Sequence, residues 1–95
     1  PDLFSANVMG EVVLIDLLFF ANSRELVGHK QTRLHLPQKT TGKHILKHIV
    51  SEFPNLQLIA KSVVLALNQE YLADDTEVTL KPGDEIAVIP PISGG

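Results

Sequence analysis

The sequence predicts one α+β domain in which a principal helix packs on a mixed β-sheet. Residues 11–20 (EVVLIDLLFF) are rich in β-branched and aromatic residues, residues 45–53 carry apolar side chains at helical spacing, and short apolar segments separated by turn residues follow from residue 62 onward. The chain has 95 residues, of which 44% are hydrophobic and 20% charged. This length and composition support a single hydrophobic core.

The first predicted strand covers residues 11–20 and has apolar residues at both alternating sets of positions. Such a pattern is typical of an interior strand that is covered on both faces. Asn22 can then cap a short helix over residues 23–27, with Glu25 completing a reciprocal capping arrangement. Gly28 can end that helix in a left-handed conformation.

The second predicted strand covers residues 29–36 and ends at Pro37, which cannot donate to a β-ladder. Its polarity indicates a more exposed strand that forms a meander with the first. The principal helix follows, with Thr40 or Thr41 as its cap and Pro54 at its end. Its apolar stripe consists of Ile45, Leu46, Ile49, Val50 and Phe53.

The remaining segments read as short strands joined by turns. Residues 62–67 form a strand, and Asn68 and Gln69 make a tight turn into residues 70–72. Pro82 and Gly83 form a turn before a last strand at 85–89, which Pro90 and Pro91 end. One helix over a mixed sheet of this size is the ubiquitin-like β-grasp arrangement.

Composition also limits the function. The formal net charge is −3 and the basic residues are scattered, so we expect no nucleic-acid partner. The longest apolar stretch, at 12–21, is about half a bilayer span and contains Asp16, so we expect no membrane partner. The chain has no Cys, which suits the reducing cytosol, the predicted location. We expect a disordered leader at 1–10, the domain at 11–91 and a C-terminal tail at 92–95.

Two groups of polar residues invite a catalytic or metal-binding interpretation. His44 and His48 are one helical turn apart, as two metal ligands would be, but without a third ligand they are interpreted as part of a solvated helix face. Asp74, Asp75 and Glu77 fall at a predicted turn, where Asp is favoured for local hydrogen bonds. We therefore predict no metal site and no catalysis by this chain alone.

The C-terminal tail is the most informative segment. Ile92, Ser93, Gly94 and Gly95 follow two prolines, which cannot join a ladder and hold the backbone extended. Two glycines make a slim arm that could thread a narrow channel and bring the terminal carboxylate to a buried reaction centre. On composition alone, an ordinary frayed terminus is the alternative.

Two segments resemble a known family. The run KPGDEIAVIPPISGG at 81–95 is similar to the carboxyl end of the molybdopterin synthase small subunit, a sulfur carrier family. The run VVLIDLLFFANSRELVG at 12–28 resembles the opening strand and helix of that family. A terminal Gly-Gly is shared with ubiquitin-like modifiers, so the specific part of the resemblance is PPISGG joined to a strand that begins at Gly83-Asp84-Glu85.

The resemblance implies that Gly95 carries sulfur. An ATP-dependent activating enzyme would convert its carboxylate to a glycyl adenylate, and a persulfide sulfur would displace AMP to leave a thiocarboxylate. That group would donate sulfur to a cyclic pyranopterin monophosphate held by the large subunit of molybdopterin synthase, and two transfers would build the dithiolene. This chain would bind no cofactor, and ATP would be used by the activating enzyme.

The resemblance also assigns roles within the tail and predicts an assembly. Gly94 keeps the arm slim, Ile92 anchors it in an apolar pocket, and Pro90 and Pro91 set its exit. Ser93 is counted with them among the tail residues that bind the partner. Two small subunits would bind a dimer of large subunits, each through its arm and the exposed face of its sheet. The sequence leaves open which apolar residues face outward among Phe19, Phe20, Leu65, Leu67 and Ile89.

Three alternative functions share these features. A ubiquitin-like modifier would join Gly95 to lysines of target proteins. A carrier for another pathway, such as thiazole synthesis, would use the same loading chemistry with a different acceptor. A plain interaction module would keep its function without Gly94 and Gly95.

Overall fold

The computed structural model describes residues 11–91, so the predicted leader at 1–10 and the tail at 92–95 lie outside the described residues. The described elements are β1 (Val12–Phe19), α1 (Ala21–Val27), β2 (Gln31–Pro37), β3 (Lys39–Thr41), α2 (Gly42–Glu52), a 3₁₀ helix (Pro54–Leu58), β4 (Val64–Leu67), β5 (Glu70–Leu72), β6 (Glu77–Thr79) and β7 (Glu85–Ile89). Neither α-helix within residues 11–91 is long and apolar enough to cross a membrane.

The principal sheet is mixed and has five strands in the order β2-β1-β7-β4-β5. β1 and β7 are parallel, whereas β1 with β2, β7 with β4, and β4 with β5 are antiparallel. β3 and β6 form a separate antiparallel pair. The predicted α+β arrangement of one main helix on a mixed sheet is confirmed, and it places the last strand between β1 and β4.

β1 is an interior strand, as predicted, but the described chain covers only one of its faces. Val13, Ile15, Leu17 and Phe19 are buried in the core. The alternate residues from Val12 to Leu18 are exposed or half-buried, because α2 packs on the other side of the sheet. We call the uncovered side the open face. The prediction of coverage on both faces is therefore wrong for residues 11–91.

α2 holds the core face of the sheet. Thr41 caps it, with its Oγ1 accepting a hydrogen bond from the His44 amide at 3.2 Å, so the predicted Thr cap is confirmed. Ile45 and Ile49 are fully buried, and the Phe53 ring meets the Phe19 ring edge-on at 5.2 Å between centroids. The 3₁₀ helix begins directly after this stripe and was missed, because its five residues are too few to show a period.

The first helix begins earlier than predicted. α1 starts at Ala21, so Asn22 lies inside it, and Phe20 occupies the N-cap position with no side-chain bond. The predicted Asn22 cap is wrong. Ser23 instead satisfies the Phe20 carbonyl oxygen through both its amide, at 3.1 Å, and its hydroxyl, at 2.6 Å. The predicted stop is confirmed, because Gly28 has φ of +86°.

The turns that precede and follow the later strands match the prediction. Asn68 and Gln69 have φ of +50° and +73°, the left-handed pair that a two-residue hairpin turn of type I′ needs. Gly83 has φ of +86° in the turn before β7. The predicted bounds of β7 are matched, whereas β2 and β4 begin two residues later than predicted. The short β3 was missed.

Candidate functional site

The C-terminal tail follows β7, a largely buried interior strand of the sheet. β7 lies between β1 and β4, and its residues Ile86, Ala87 and Val88 are buried. Pro90 is still buried, whereas Pro91 is exposed. The described chain therefore reaches the surface at Pro91, and Ile92, Ser93, Gly94 and Gly95 follow outside the described residues.

The start of β7 is fixed by a polar network. The Glu85 amide donates to Asn68 Oδ1 at 2.9 Å, and the Asn68 amide donates to the Glu85 carbonyl oxygen at 2.8 Å. The buried Asp84 carboxylate accepts from Asn68 Nδ2 at 3.2 Å and from the Lys81 amide at 2.8 Å. The Asp16 amide donates to the Asp84 carbonyl oxygen at 2.8 Å. These bonds hold the start of β7 against β1 and the β4–β5 turn.

The open face carries a continuous apolar surface beside the end of β7. In register across four strands, Leu18 of β1 lies opposite Ala87 of β7, Ala87 opposite Ala66 of β4, and Ala66 opposite Tyr71 of β5. Val64 and Ile89 form the next pair, and Phe20 continues β1 on the same side in extended conformation. We call this surface the open-face patch: Leu18, Phe20, Val64, Ala66, Tyr71 and Ile89, with the buried Ala87 between them.

Of the five large hydrophobic residues that are exposed within residues 11–91, three belong to the open-face patch. Tyr71 is 72% exposed, and Phe20 and Val64 are each 43% exposed. Contiguous exposed apolar residues on one surface are typical of a site that binds another protein. At one end the patch includes Ile89, which directly precedes Pro90 and Pro91.

The structure answers the question that the sequence left open about outward-facing residues. Phe19 and Leu65 are buried in the core, and Leu67 pairs with Ile86 on the core face. Phe20 and Ile89 lie on the open face. Alternation along a strand separates these residues into two sets, but only the position of α2 determines which set is covered.

Charged residues border the patch on the side away from Ile89 and Pro90. Asp16 lies opposite Arg33 of β2 and opposite Glu85 of β7. Arg33 Nε lies 3.5 Å from Asp16 Oδ1, and both side chains are well exposed. In water such a pair contributes little to stability, so Asp16, Arg33 and Glu85 serve mainly as a polar border to the patch.

The other polar candidates lie elsewhere. His44 and His48 are exposed on α2, where they line a shallow cavity of about 320 Å³ with Lys47 and Ser51. Because α2 covers the core face, this cavity is on the opposite side of the sheet from the open-face patch. Within residues 11–91, no three His, Cys, Asp or Glu side chains come together as metal ligands.

Asp74, Asp75 and Glu77 are also exposed. The first two form the turn that precedes β6, as the sequence predicts. Backbone carbonyls of this loop meet the start of α2: the Lys43 amide donates to the Asp74 carbonyl oxygen at 2.9 Å, and the Gly42 amide donates to the Thr76 carbonyl oxygen at 3.3 Å. The loop therefore contributes to the packing of α2.

Comparison with known proteins gives a consistent result. The profile of the ThiS family matches residues 17–95. A molybdopterin synthase sulfur carrier subunit from Aedes aegypti is 50% identical over 91 residues, which cover 90% of this chain and 92% of that protein. The small archaeal modifier protein 1 from Methanosarcina acetivorans has a similar structure, with a TM-score of 0.72 at 25% identity over 90% of this chain and all of that one.

A second solved structure shows the same fold with a partner present. It is a complex of subunits 1 and 2 of molybdopterin-converting factor from Helicobacter pylori, and the matched chain has a TM-score of 0.61 at 23% identity. The match covers 87% of this chain and the full length of that chain.

Proposed function

The chain belongs to the ThiS family, and we propose that it acts as the sulfur carrier of a molybdopterin synthase, with Gly95 as the carrying residue. The single observation that carries the proposal is the 50% identity to a molybdopterin synthase sulfur carrier subunit over nearly the whole of both chains. The geometry of the described residues agrees with it, because a largely buried strand ends at an exposed apolar patch, and the sequence continues from that strand through Pro90 and Pro91 to the Gly-Gly terminus.

The chemistry of the carrier follows from its terminal carboxylate, which is a poor electrophile. Activation by ATP would convert the Gly95 carboxylate to an acyl adenylate, with release of pyrophosphate. The outer sulfur of a persulfide on the loading enzyme would then displace AMP to form an acyl disulfide, and a second thiol of that enzyme would cleave the sulfur–sulfur bond, forming an enzyme disulfide and releasing the thiocarboxylate. The resulting thiocarboxylate is ionised at neutral pH and more nucleophilic than the oxygen acid. Its sulfur can therefore attack an activated carbon of a cyclic pyranopterin monophosphate, where a carbon–oxygen bond breaks. Water would then cleave the acyl–sulfur bond, which leaves the sulfur on the pterin and restores the Gly95 carboxylate, and two such transfers would form the dithiolene.

This chemistry requires two partners that supply what the carrier lacks. An adenylating and sulfurating enzyme would bind ATP and load Gly95, and the large subunit of the synthase would bind the pterin and receive the arm. The complex of the Helicobacter pylori protein with its second subunit supports such a partner. We propose two carriers on a dimer of large subunits, acting in the cytosol.

The open-face patch is the docking surface that we propose for the large subunit. Its exposed aromatic residues, Phe20 and Tyr71, are of the kind that dominates binding energy when a partner buries them. The patch continues through Ile89 to Pro90 and Pro91, so docking on it would aim the arm at the partner. The polar border at Asp16 and Arg33 limits the apolar contact on the other side.

The test is the intact mass of the chain after incubation with its cognate activating enzyme, ATP and a sulfur donor. A matched sample lacks only Gly95. We expect the full chain to gain the mass difference between sulfur and oxygen and the truncated chain to gain nothing. An unchanged full-length mass, with the same activating enzyme active on another carrier, would contradict the proposal.

A second function is favoured by the likeness to the small archaeal modifier protein 1. The same activated Gly95 could form an isopeptide bond with a lysine of another protein. Conjugates in cell extract that resist boiling and thiol reductant would support modification. Transfer of sulfur to the pterin by the loaded carrier and purified large subunit would support the carrier function.

A further inference from the structure

A fully buried hydroxyl joins the start of α1 to the last strand. Ser23 is 0% exposed, and its Oγ lies 2.6 Å from the Phe20 carbonyl oxygen and 3.3 Å from the Val88 carbonyl oxygen. A serine hydroxyl carries one proton, so the Phe20 bond is the principal one and Val88 receives the longer branch. The hydroxyl thus connects the β1–α1 corner to the strand that bears the arm.

Backbone bonds hold the same corner. The Phe20 amide donates to the Val88 carbonyl oxygen at 3.2 Å, and the Ser23 amide donates to the Phe20 carbonyl oxygen at 3.1 Å. Between them, Ala21 has φ of +52°, a left-handed conformation that is unfavourable for a residue with a Cβ. Such a conformation persists only where surrounding contacts enforce it, and the Ser23 hydroxyl is one of those contacts.

This corner touches both parts of the proposed site. Phe20 is an exposed aromatic residue of the open-face patch, and Val88 stands two residues before Pro90. The corner therefore fixes the end of β7 relative to the surface on which a partner would sit. If the corner loosened, the patch could still bind, but the arm would leave the domain over a wider range of directions.

We propose that Ser23 is a positioning residue for sulfur delivery. It holds the end of β7, from which the tail continues, at a fixed angle to the open-face patch. The inference rests on the proposed function. Because Ser23 is fully buried, it makes no contact with a partner, so its loss should affect the transfer step more than the affinity. A misplacement of about 1 Å can lower a reaction rate by about a hundredfold, so a modest change in angle is measurable.

The experiment compares a Ser23→Ala carrier with the wild type. Each is loaded as the thiocarboxylate, and single-turnover sulfur transfer to the cyclic pterin is measured at saturating large subunit, together with the dissociation constant of the complex. We expect the transfer rate of Ser23→Ala to fall by about tenfold or more, with little change in the dissociation constant. All measurements are made well below the melting temperature of the least stable variant.

Ile49→Val is the matched control, because it removes a methylene from the buried core at α2 and lowers stability, whereas Ile49 takes no part in the hydrogen bonds of the corner. It should transfer sulfur at the wild-type rate. Equal slowing of both variants, or a wild-type rate for Ser23→Ala, would overturn the inference. If Ser23→Ala does not fold, Ser23→Cys replaces it. Because a thiol is a weaker hydrogen-bond donor than a hydroxyl, we expect Ser23→Cys to lower the transfer rate in the same way but by a smaller factor. A wild-type carrier that delivers no sulfur would refute the proposed function together with this inference.

Discussion

Removal of the Tyr71 side chain tests whether the open-face patch binds the large subunit. A tyrosine side chain offers roughly 150–250 Å² of surface, so a residue that is 72% exposed leaves on the order of 100–180 Å² for a partner to cover. At about 25 cal/mol per Å², complete coverage would contribute roughly 2.5–4.5 kcal/mol. Part of this surface is the polar hydroxyl, so we expect Tyr71→Ala to cost about 2 kcal/mol of binding, or about thirtyfold in Kd.

The assay is isothermal titration calorimetry of the carrier with purified large subunit. Leu58→Ala is the matched control, because Leu58 is 79% exposed on the 3₁₀ helix, outside the open-face patch. It should leave the affinity unchanged. Tyr71→Ala should lower the stability of the carrier by less than about 1 kcal/mol, since β-strand preferences span only that range. An affinity within twofold of the wild type, or an equal loss for Leu58→Ala, would refute the assignment of the patch as the docking surface.

Two further predictions concern the framework of the site. Gly42→Ala should lower the free energy of unfolding by about 1–3 kcal/mol, because a Cβ there would collide with the Ala73 carbonyl oxygen. An unchanged midpoint of denaturant unfolding would contradict this prediction. Asn68→Ala should cost about 1–3 kcal/mol, because it removes one partner of the buried Asp84 carboxylate and the acceptor of the Glu85 amide. If thermal unfolding shows Asn68→Ala to be as stable as the wild type, the polar network does not stabilise the start of β7.

Local patterns in the sequence were enough to predict the elements that lead to the arm. Residue types with strong local preferences predict the left-handed turn at Gly83 before β7, the bounds of β7, and its end at the paired prolines. Thr41 at the start of α2 is predictable for the same reason. The predicted roles of Gly94 and Gly95 concern residues outside the described part of the chain, and they stay predictions.

The β1–α1 corner could not be predicted from its own residues. Asn22 has the side chain of a good cap, but the chain turns one residue earlier, at Ala21. The Ser23 hydroxyl therefore makes the side-chain hydrogen bonds at this corner, to the carbonyl oxygens of Phe20 and Val88. Residues 23 and 88 are far apart in sequence, so no local pattern relates them. A hydrogen bond of this kind appears only when β1 and β7 pair side by side.

The sequence by itself determined the alternation of apolar residues along β1 and β7, and with it the two possible faces of the sheet. It could not determine which face would remain uncovered, because β1 is apolar on both. Only the tertiary structure decided this: α2 places Ile45 and Ile49 against one face, and the other face keeps Phe20 and Tyr71 exposed. The physical reason is that burial is a property of the packed chain, in which one helix can cover only one side of a sheet.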